Sequence, residues 1–270
     1  MMQPHITFLG GGNMANAIVA GLISHGHIPA HIHVVDRNAF KRETLAHLYG
    51  IQTSNDPVAA VATADIVIFS IKPQGFSALI TEVGPQIIDR NPILVSIMSG
   101  IRIETLASHF PNQSILRAMP NTPARVQAGM TLLAPGSRMT AEQLTIVEHI
   151  FDAVGHTIIT PTERVFEQLT ALTGCGPAFV YYFVDMFAKA MQEMTPDIEC
   201  LPLSIATFQG ALTLMQKEPD SSPDALIAQV SPKGGMTAEA MKVLQTAEIQ
   251  ALLKQTFQAA IKRGDELANS

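Results

Sequence analysis

Residues 5–36, HITFLGGGNMANAIVAGLISHGHIPAHIHVVD, decide the fold. His5 to Leu9 is an apolar run of strand length, glycines follow at 10, 11 and 12, and Asn13 to Leu22 continues with helical spacing. From Gly10 through Gly12 to Ala15 the run spells G-x-G-x-x-A. In a dinucleotide-binding βαβ unit the first glycine makes the tight turn, the second lets backbone approach the pyrophosphate, and a small third residue packs helix on strand. Gly10, Gly12, Asn13 and Met14 are therefore candidate cofactor residues, because the first N–H groups of the helix face the phosphates with the positive end of its dipole. Ile32 to Val35 reads as a second strand, and Asp36, 24 residues past Gly12, stands where an acid meets the adenosine ribose. Glycine turns also serve purely structural ends; the strand, helix, strand and acid around this one favour the nucleotide reading.

The alternation continues. Asn38 to Tyr49 is helical, Ile51 to Thr53 a short strand, and Asn55 an N-cap with Pro57 just inside the next helix. Ala64 to Ile71 is nearly all apolar, as for a parallel strand covered on both faces, and stops at Lys72 and Pro73. Another helix fits Gln74 to Asp89, and Pro92 to Ile97 is a buried strand ending at Met98, Ser99 and Gly100. Such turns lie on the carboxyl edge of the sheet, where these folds bind ligands. That makes Asn55, Ile71, Lys72, Pro73, Met98, Ser99 and Gly100 cofactor candidates. The Lys72 ammonium suits cofactor or substrate oxygens, and equally suits a strand-end lysine reaching solvent. Asn121, between prolines 120 and 123, is a substrate candidate and also an ordinary turn residue. Strands at Ile115 to Met119 and Met130 to Ala134, a helix opened by the Thr140/Gln143 capping box, and a strand at Gly155 to Ile159 complete the α/β part.

Past residue 160 the period is helical throughout: Glu163 to Leu172, Pro177 to Met194, Leu203 to Lys217, Pro223 to Val230 and Met236 to Asp265. The sequence thus predicts an α/β protein, with an N-terminal Rossmann-like dinucleotide-binding domain over 1–160 and a C-terminal all-α domain over 161–270. Val180 to Phe187 is apolar nearly all round, which calls for a helical partner from another subunit. Residues 1–160 carry 9 basic and 10 acidic side chains, net −1, and the rest 8 and 13, net −5.

At 47% hydrophobic and 15% charged residues the chain is no disordered protein, and a net charge of −6 argues against a grip on nucleic-acid phosphates. Cys175 and Cys200 form neither a disulfide framework nor a zinc pattern, and no apolar stretch or basic leader signals a membrane or secretion. The expectation is a soluble cytoplasmic protein. All nine histidines precede residue 157, so the helical half has no histidine for acid–base work. His25, His27, His31 and His33 cluster without a cysteine or carboxylate at metal-ligand spacing, which favours solvated histidines over a metal site.

A second glycine turn, Ser231 to Thr237 (SPKGGMT), precedes a helical stretch. Its N–H groups at Gly234, Gly235, Met236 and Thr237 suit a small carboxylate, although on these residues alone a helix cap with a glycine hinge explains it better.

Over nearly its full length the chain resembles the pyrroline-5-carboxylate reductase family. The resemblance rests on Phe8 to Ala15, Ile71-Lys72-Pro73, Arg117 to Pro123 (RAMPNTP), Ala128 to Thr131, Thr173 to Phe179 (TGCGPAF) and Gly234 to Thr237. It implies a helical domain through which subunits form a homodimer or a larger homo-oligomer. It also implies hydride transfer from NAD(P)H to the ring C=N carbon of 1-pyrroline-5-carboxylate, giving L-proline. The glycine turn would hold the substrate carboxylate through Gly234, Gly235 and Met236, with the Thr237 hydroxyl near the ring nitrogen as the catalytic group. Asp36 suits a free ribose 2′-OH and Arg37 a 2′-phosphate, so use of both cofactors is expected, with NADP(H) favoured by the resemblance. The family's S-P-G-G-T-T is Pro232-Lys233-Gly234-Gly235-Met236-Thr237 here, and its frequent Leu-Lys-Asp is Leu226-Ile227-Ala228. These departures leave open a reductase of another cyclic imine, or a nucleotide-binding regulatory protein without turnover. A β-hydroxyacid dehydrogenase is disfavoured, because Val180 occupies the position of its catalytic lysine.

Overall fold

The computed structural model describes residues 3–268. The first of two compact units takes the chain through Cys175 and, at the other end, from Ala260 onward. Its strands are β1 (Ile6–Leu9), β2 (Ile32–Val35), β3 (Gln52–Ser54), β4 (Ile66–Phe69), β5 (Ile93–Ser96), β6 (Ile115–Met119), β7 (Gly129–Pro135) and β8 (Gly155–Ile159). They form one sheet in the order β3-β2-β1-β4-β5-β6-β7-β8. All neighbours run parallel except the antiparallel pair β6 and β7. The helices are α1 (Asn13–Ser24), α2 (Ala39–Tyr49), α3 (Pro57–Val61), α4 (Phe76–Arg90), α5 (Ile103–His109), α6 (Ala141–Asp152) and α7 (Glu163–Thr173).

Period-two alternation sends Ile6 and Phe8 of β1 into one core with Ile18, Val34 and Ile68, and Leu9 into another with Val67, Phe69 and Phe110. With both faces covered the strands read as continuous apolar runs, and each fully buried Ile, Leu or Phe stabilises by about 1.5–3 kcal/mol. Chain order departs to β2 and β3 on one side of β1 and to β4 and β5 on the other, which opens the crevice beyond the carboxyl ends of β1 and β4.

The second unit, Gly176 to Ala259, is helical. It holds α8 (Gly176–Gln192), α9 (Cys200–Lys217), α10 (Pro223–Val230), α11 (Met236–Thr246) and most of α12 (Ile249–Ala268). Apolar side chains stand in solvent along it, with Tyr181 62%, Phe187 59% and Leu203 59% exposed, a surface that a lone chain leaves uncovered. Among the described residues no helix is long and apolar enough to cross a membrane.

Several expectations need correction. The cap of α3 is Asp56, whose Oδ1 accepts from Ala59 N at 3.0 Å, and not Asn55. The buried strand ends at Phe69, two residues early, because Ser70 turns its hydroxyl back onto Gly10 O at 2.7 Å. The last helix is two helices, broken at Glu248 with φ +48°, where no glycine or proline marks the break. α5 has seven residues, too short for its period to stand out.

Candidate active site

Gly10 adopts φ +117°, and a Cβ there would lie 2.6 Å from Ser70 O, so only glycine fits where β1 passes β4. At Gly12 the nearest atom to an added Cβ is Ser70 O at 3.9 Å, leaving room for a ligand to approach backbone. Gly12 is also the N-cap of α1 and makes no side-chain cap bond. The first-turn N–H groups at Asn13 and Met14 therefore keep the positive end of the dipole unquenched, as a pyrophosphate requires. The residues present fit a dinucleotide.

Asp36 ends β2. Its Oδ2 accepts from Gly11 N at 2.9 Å, its Oδ1 accepts from Asn38 N at 2.8 Å, and Lys41 Nζ lies 3.5 Å away. Burial pushes the carboxyl up, but the Asn38 and Gly11 N–H groups and the Lys41 ammonium outweigh it and hold Asp36 below the usual carboxylate value. The acid thus ties the glycine turn to the start of α2. Arg42 Nη1 donates to Asp36 O at 2.7 Å and to Arg37 O at 3.2 Å, while the Arg37 side chain is exposed.

A cleft of about 730 Å³ opens beside these groups. It brings together Gly10, Asp36, Arg37, Asn55, Ile71 and Lys72 among the sequence candidates. Gly12, Asn13 and Met14 stand at the head of α1 and Pro73 opens a 3-10 turn, without lining that cleft. Met98 is 2% exposed with its side chain in the core, and Ser99 is exposed. Gly100, at φ +79°, lies against the end of α12, where a Cβ would meet Leu267 O at 3.2 Å. Sequence reading missed the α4 side of the cleft, formed by Gln74, Gly75, Ala78, Leu79 and Glu82. Their helical spacing directly after Ile71-Lys72-Pro73 was the available signal.

Asn121 is occupied within the first unit. Its Nδ2 donates to Thr173 O at 2.9 Å, and its Oδ1 accepts from Met130 N at 2.9 Å, so the amide braces the end of α7 and the start of β7. Four residues earlier, Arg117 is wholly buried on β6. Its Nη1 donates to Glu163 Oε1 at 2.7 Å and to Glu167 Oε1, and its guanidinium carbon lies 4.7 Å from the Phe166 ring centroid. Arg117 and Asn121 thus grip opposite ends of α7. This role gave no sequence signal beyond the motif that contains both residues.

In the second unit Gly234 has φ +78°, Gly235 N donates to Pro232 O at 2.9 Å, and Gly235 caps α11 without a side-chain bond. The N–H groups of Met236 and Thr237 open that helix. Among the described residues the Thr237 hydroxyl has no hydrogen-bond partner and Lys233 no ion pair. Met236 is 92% exposed. Among the described residues no cluster of three metal-ligating side chains is present, and the histidines near the first strand hold backbone carbonyls of residues 3 and 4 instead.

A mostly parallel sheet with a glycine turn at its switch point, an acid directly after the second strand and a helical unit following in the chain defines an oxidoreductase of nicotinamide dinucleotides. A family profile described as NADP oxidoreductase, coenzyme F420-dependent, matches residues 5–100, and one described as pyrroline-5-carboxylate reductase dimerisation matches residues 163–267. A pyrroline-5-carboxylate reductase of Pasteurella multocida is 32% identical over 99% of this chain and 98% of that protein. One from Synechocystis is 30% identical over 98% and 99%. The solved structure of a pyrroline-5-carboxylate reductase from Coxiella burnetii superposes with a TM-score of 0.94 at 30% identity, covering 100% of both chains. The chain belongs to the pyrroline-5-carboxylate reductase family.

Proposed function

We propose that this protein reduces 1-pyrroline-5-carboxylate to L-proline with NAD(P)H, the last step of proline synthesis. Family membership over the full length, on a nucleotide cleft built as described, is the observation that carries this reading. The cofactor supplies the hydride. The chain's own residues do the rest: Gly10 and Gly12 admit the pyrophosphate, the first N–H groups of α1 at Asn13 and Met14 bind it, and Ile71, Lys72, Pro73 and the Met98 to Gly100 turn border the cofactor's path. Gly234, Gly235 and Met236 offer backbone N–H groups to the substrate carboxylate, and Lys233 adds positive charge beside it. The Thr237 hydroxyl, without a partner among the described residues, hydrogen-bonds the ring nitrogen. As that nitrogen gains a proton the C=N carbon becomes a better hydride acceptor, and no histidine is needed. Asn121 holds α7 and β7 through one amide N–H and one Oδ1 acceptor site, and its second N–H is offered to the substrate.

NADPH is the preferred cofactor. Arg37 is exposed beside the cleft and the Lys41 ammonium lies 3.5 Å from Asp36 Oδ2, so a 2′-phosphate meets cations there. The exposed apolar faces of α8 and α9 are covered in a homodimer or larger homo-oligomer, and sedimentation as an active monomer would overturn this. The unpaired Cys175 and Cys200 suit the reducing cytoplasm. The activity is tested by NADPH consumption with 1-pyrroline-5-carboxylate and chiral analysis of the product. L-proline is expected; turnover only with a different cyclic imine, or none with either, would refute the assignment.

A further inference from the structure

The cleft that holds Asp36 and Arg37 is also lined by Asn55, Pro57 and one face of α4. There Gly75, Ala78, Leu79 and Glu82 fall at i, i+3, i+4 and i+7, a single helical stripe. Gly75 and Ala78 add no bulk and Leu79 is apolar, which makes a flat shelf for an aromatic ring. At its far end Glu82 is exposed and has neither a hydrogen bond nor an ion pair among the described residues. Every other acid of the cleft is engaged, since Asp36 is held by Gly11 and Asn38.

We propose that Glu82 is a specificity residue for the adenine of the cofactor, accepting a hydrogen bond from its exocyclic amine while the base lies on the Gly75–Ala78–Leu79 shelf. The inference rests on the NAD(P)H reading above and extends it to the base. In an adenine nucleotide the exocyclic amine is the base's one N–H donor, and a carboxylate is an acceptor without a donor of its own, so the pair is complementary. A base with a carbonyl at the same position, as in hypoxanthine, sets acceptor against acceptor there, and its nearest donor is displaced to the ring N1–H. Because Glu82 is exposed, water replaces the lost bond in part and the discrimination is that of a single hydrogen bond to a charged group.

The test measures dissociation constants of the full chain for NADPH and for its 6-deamino (hypoxanthine) analogue, using the fluorescence of the reduced nicotinamide. Wild type, Glu82→Gln and Glu82→Ala are compared after circular dichroism shows all three folded. Wild type should favour NADPH by about tenfold, equivalent to about 1.4 kcal/mol, which is within reach of one hydrogen bond to a charged group. In Glu82→Gln the amide donates to the carbonyl as readily as it accepts from the amine, so the preference should fall to within about threefold. Glu82→Ala should lose it likewise. Equal wild-type affinities, or a ratio that neither variant changes, would overturn the proposal and leave the nucleotide cleft standing. Failure of wild type to bind either nucleotide would overturn the cleft assignment and the proposal together.

Discussion

Replacing Arg117 by methionine should destabilise the first unit, and the structure sets the size of the effect. The guanidinium is wholly buried, pairs with Glu163 and Glu167 through Nη1 alone, and among the described residues has Nε and Nη2 without hydrogen-bond partners. Methionine keeps the apolar stem against Phe166 but leaves two neighbouring carboxylates without their cation. Removing one partner of a buried pair costs about 3–5 kcal/mol. The glutamate side chains are 26% and 20% exposed, so water relieves part of that and the lower end, about 3 kcal/mol, applies. For a unit of this size each kcal/mol lowers Tm by roughly 2–4 °C, so thermal unfolding followed by circular dichroism should show a fall of roughly 6–12 °C. The charge-neutral variant Arg117→Met/Glu163→Gln/Glu167→Gln should recover most of it, because the amide oxygen introduced in place of the Glu163 carboxylate can still accept from Ile103 N, which bonds Glu163 Oε1 at 2.9 Å. A single variant that melts within about 2 °C of wild type, or a triple variant as unstable as the single, would refute the reasoning.

Thr237→Val should lower kcat by about 10²-fold with NADPH affinity unchanged, the low end of general-acid effects because water can substitute; turnover at the wild-type rate would show that the turn is only a helix cap. Arg37→Ala should weaken NADPH by about tenfold and NADH little, and equal losses for both would remove Arg37 from the 2′-phosphate site. Stability should fall on mild acidification. Burial lowers the His27 value below 6.5, helped by His31 and His5 and opposed by the Pro4 carbonyl, and burial lowers His33 against the pull of Asp56. The unfolded chain then takes up these protons first, so the contribution is complete above pH 6.5 and is lost as pH falls through the lowered folded values. The double variant His27→Gln/His33→Gln should flatten the Tm profile between about pH 7 and pH 5, and an unchanged slope would contradict this.

The nucleotide half was legible because its physics is local. Strand period, glycine turn and acid occur within residues 5–36, and the predicted strands at 32–35, 115–119 and 155–159 stand where they were read. What escaped depends on groups far apart in the chain. Asn121 looked like a ligand residue from its turn, and only the fold shows that its amide also holds Thr173 and Met130, 52 and 9 residues away. Arg117 gave no hint of burial, since an arginine within a strand pattern ordinarily faces solvent, and its partners lie 46 and 50 residues on. Glu82 lies on a helix whose period was read correctly, but a period does not reveal that its stripe borders the cleft. The break at Glu248 lacks the glycine or proline that would have marked it.

Hydride delivery to the C=N carbon of the substrate is the step on which the proposed reduction turns. The direct test supplies NADPH carrying deuterium at the transferable position of the nicotinamide, together with unlabelled 1-pyrroline-5-carboxylate, and locates the label in the product. L-proline with one deuterium at Cδ, the carbon of the former C=N bond, is expected. NADPH left unconsumed, or L-proline formed without that label, would contradict it.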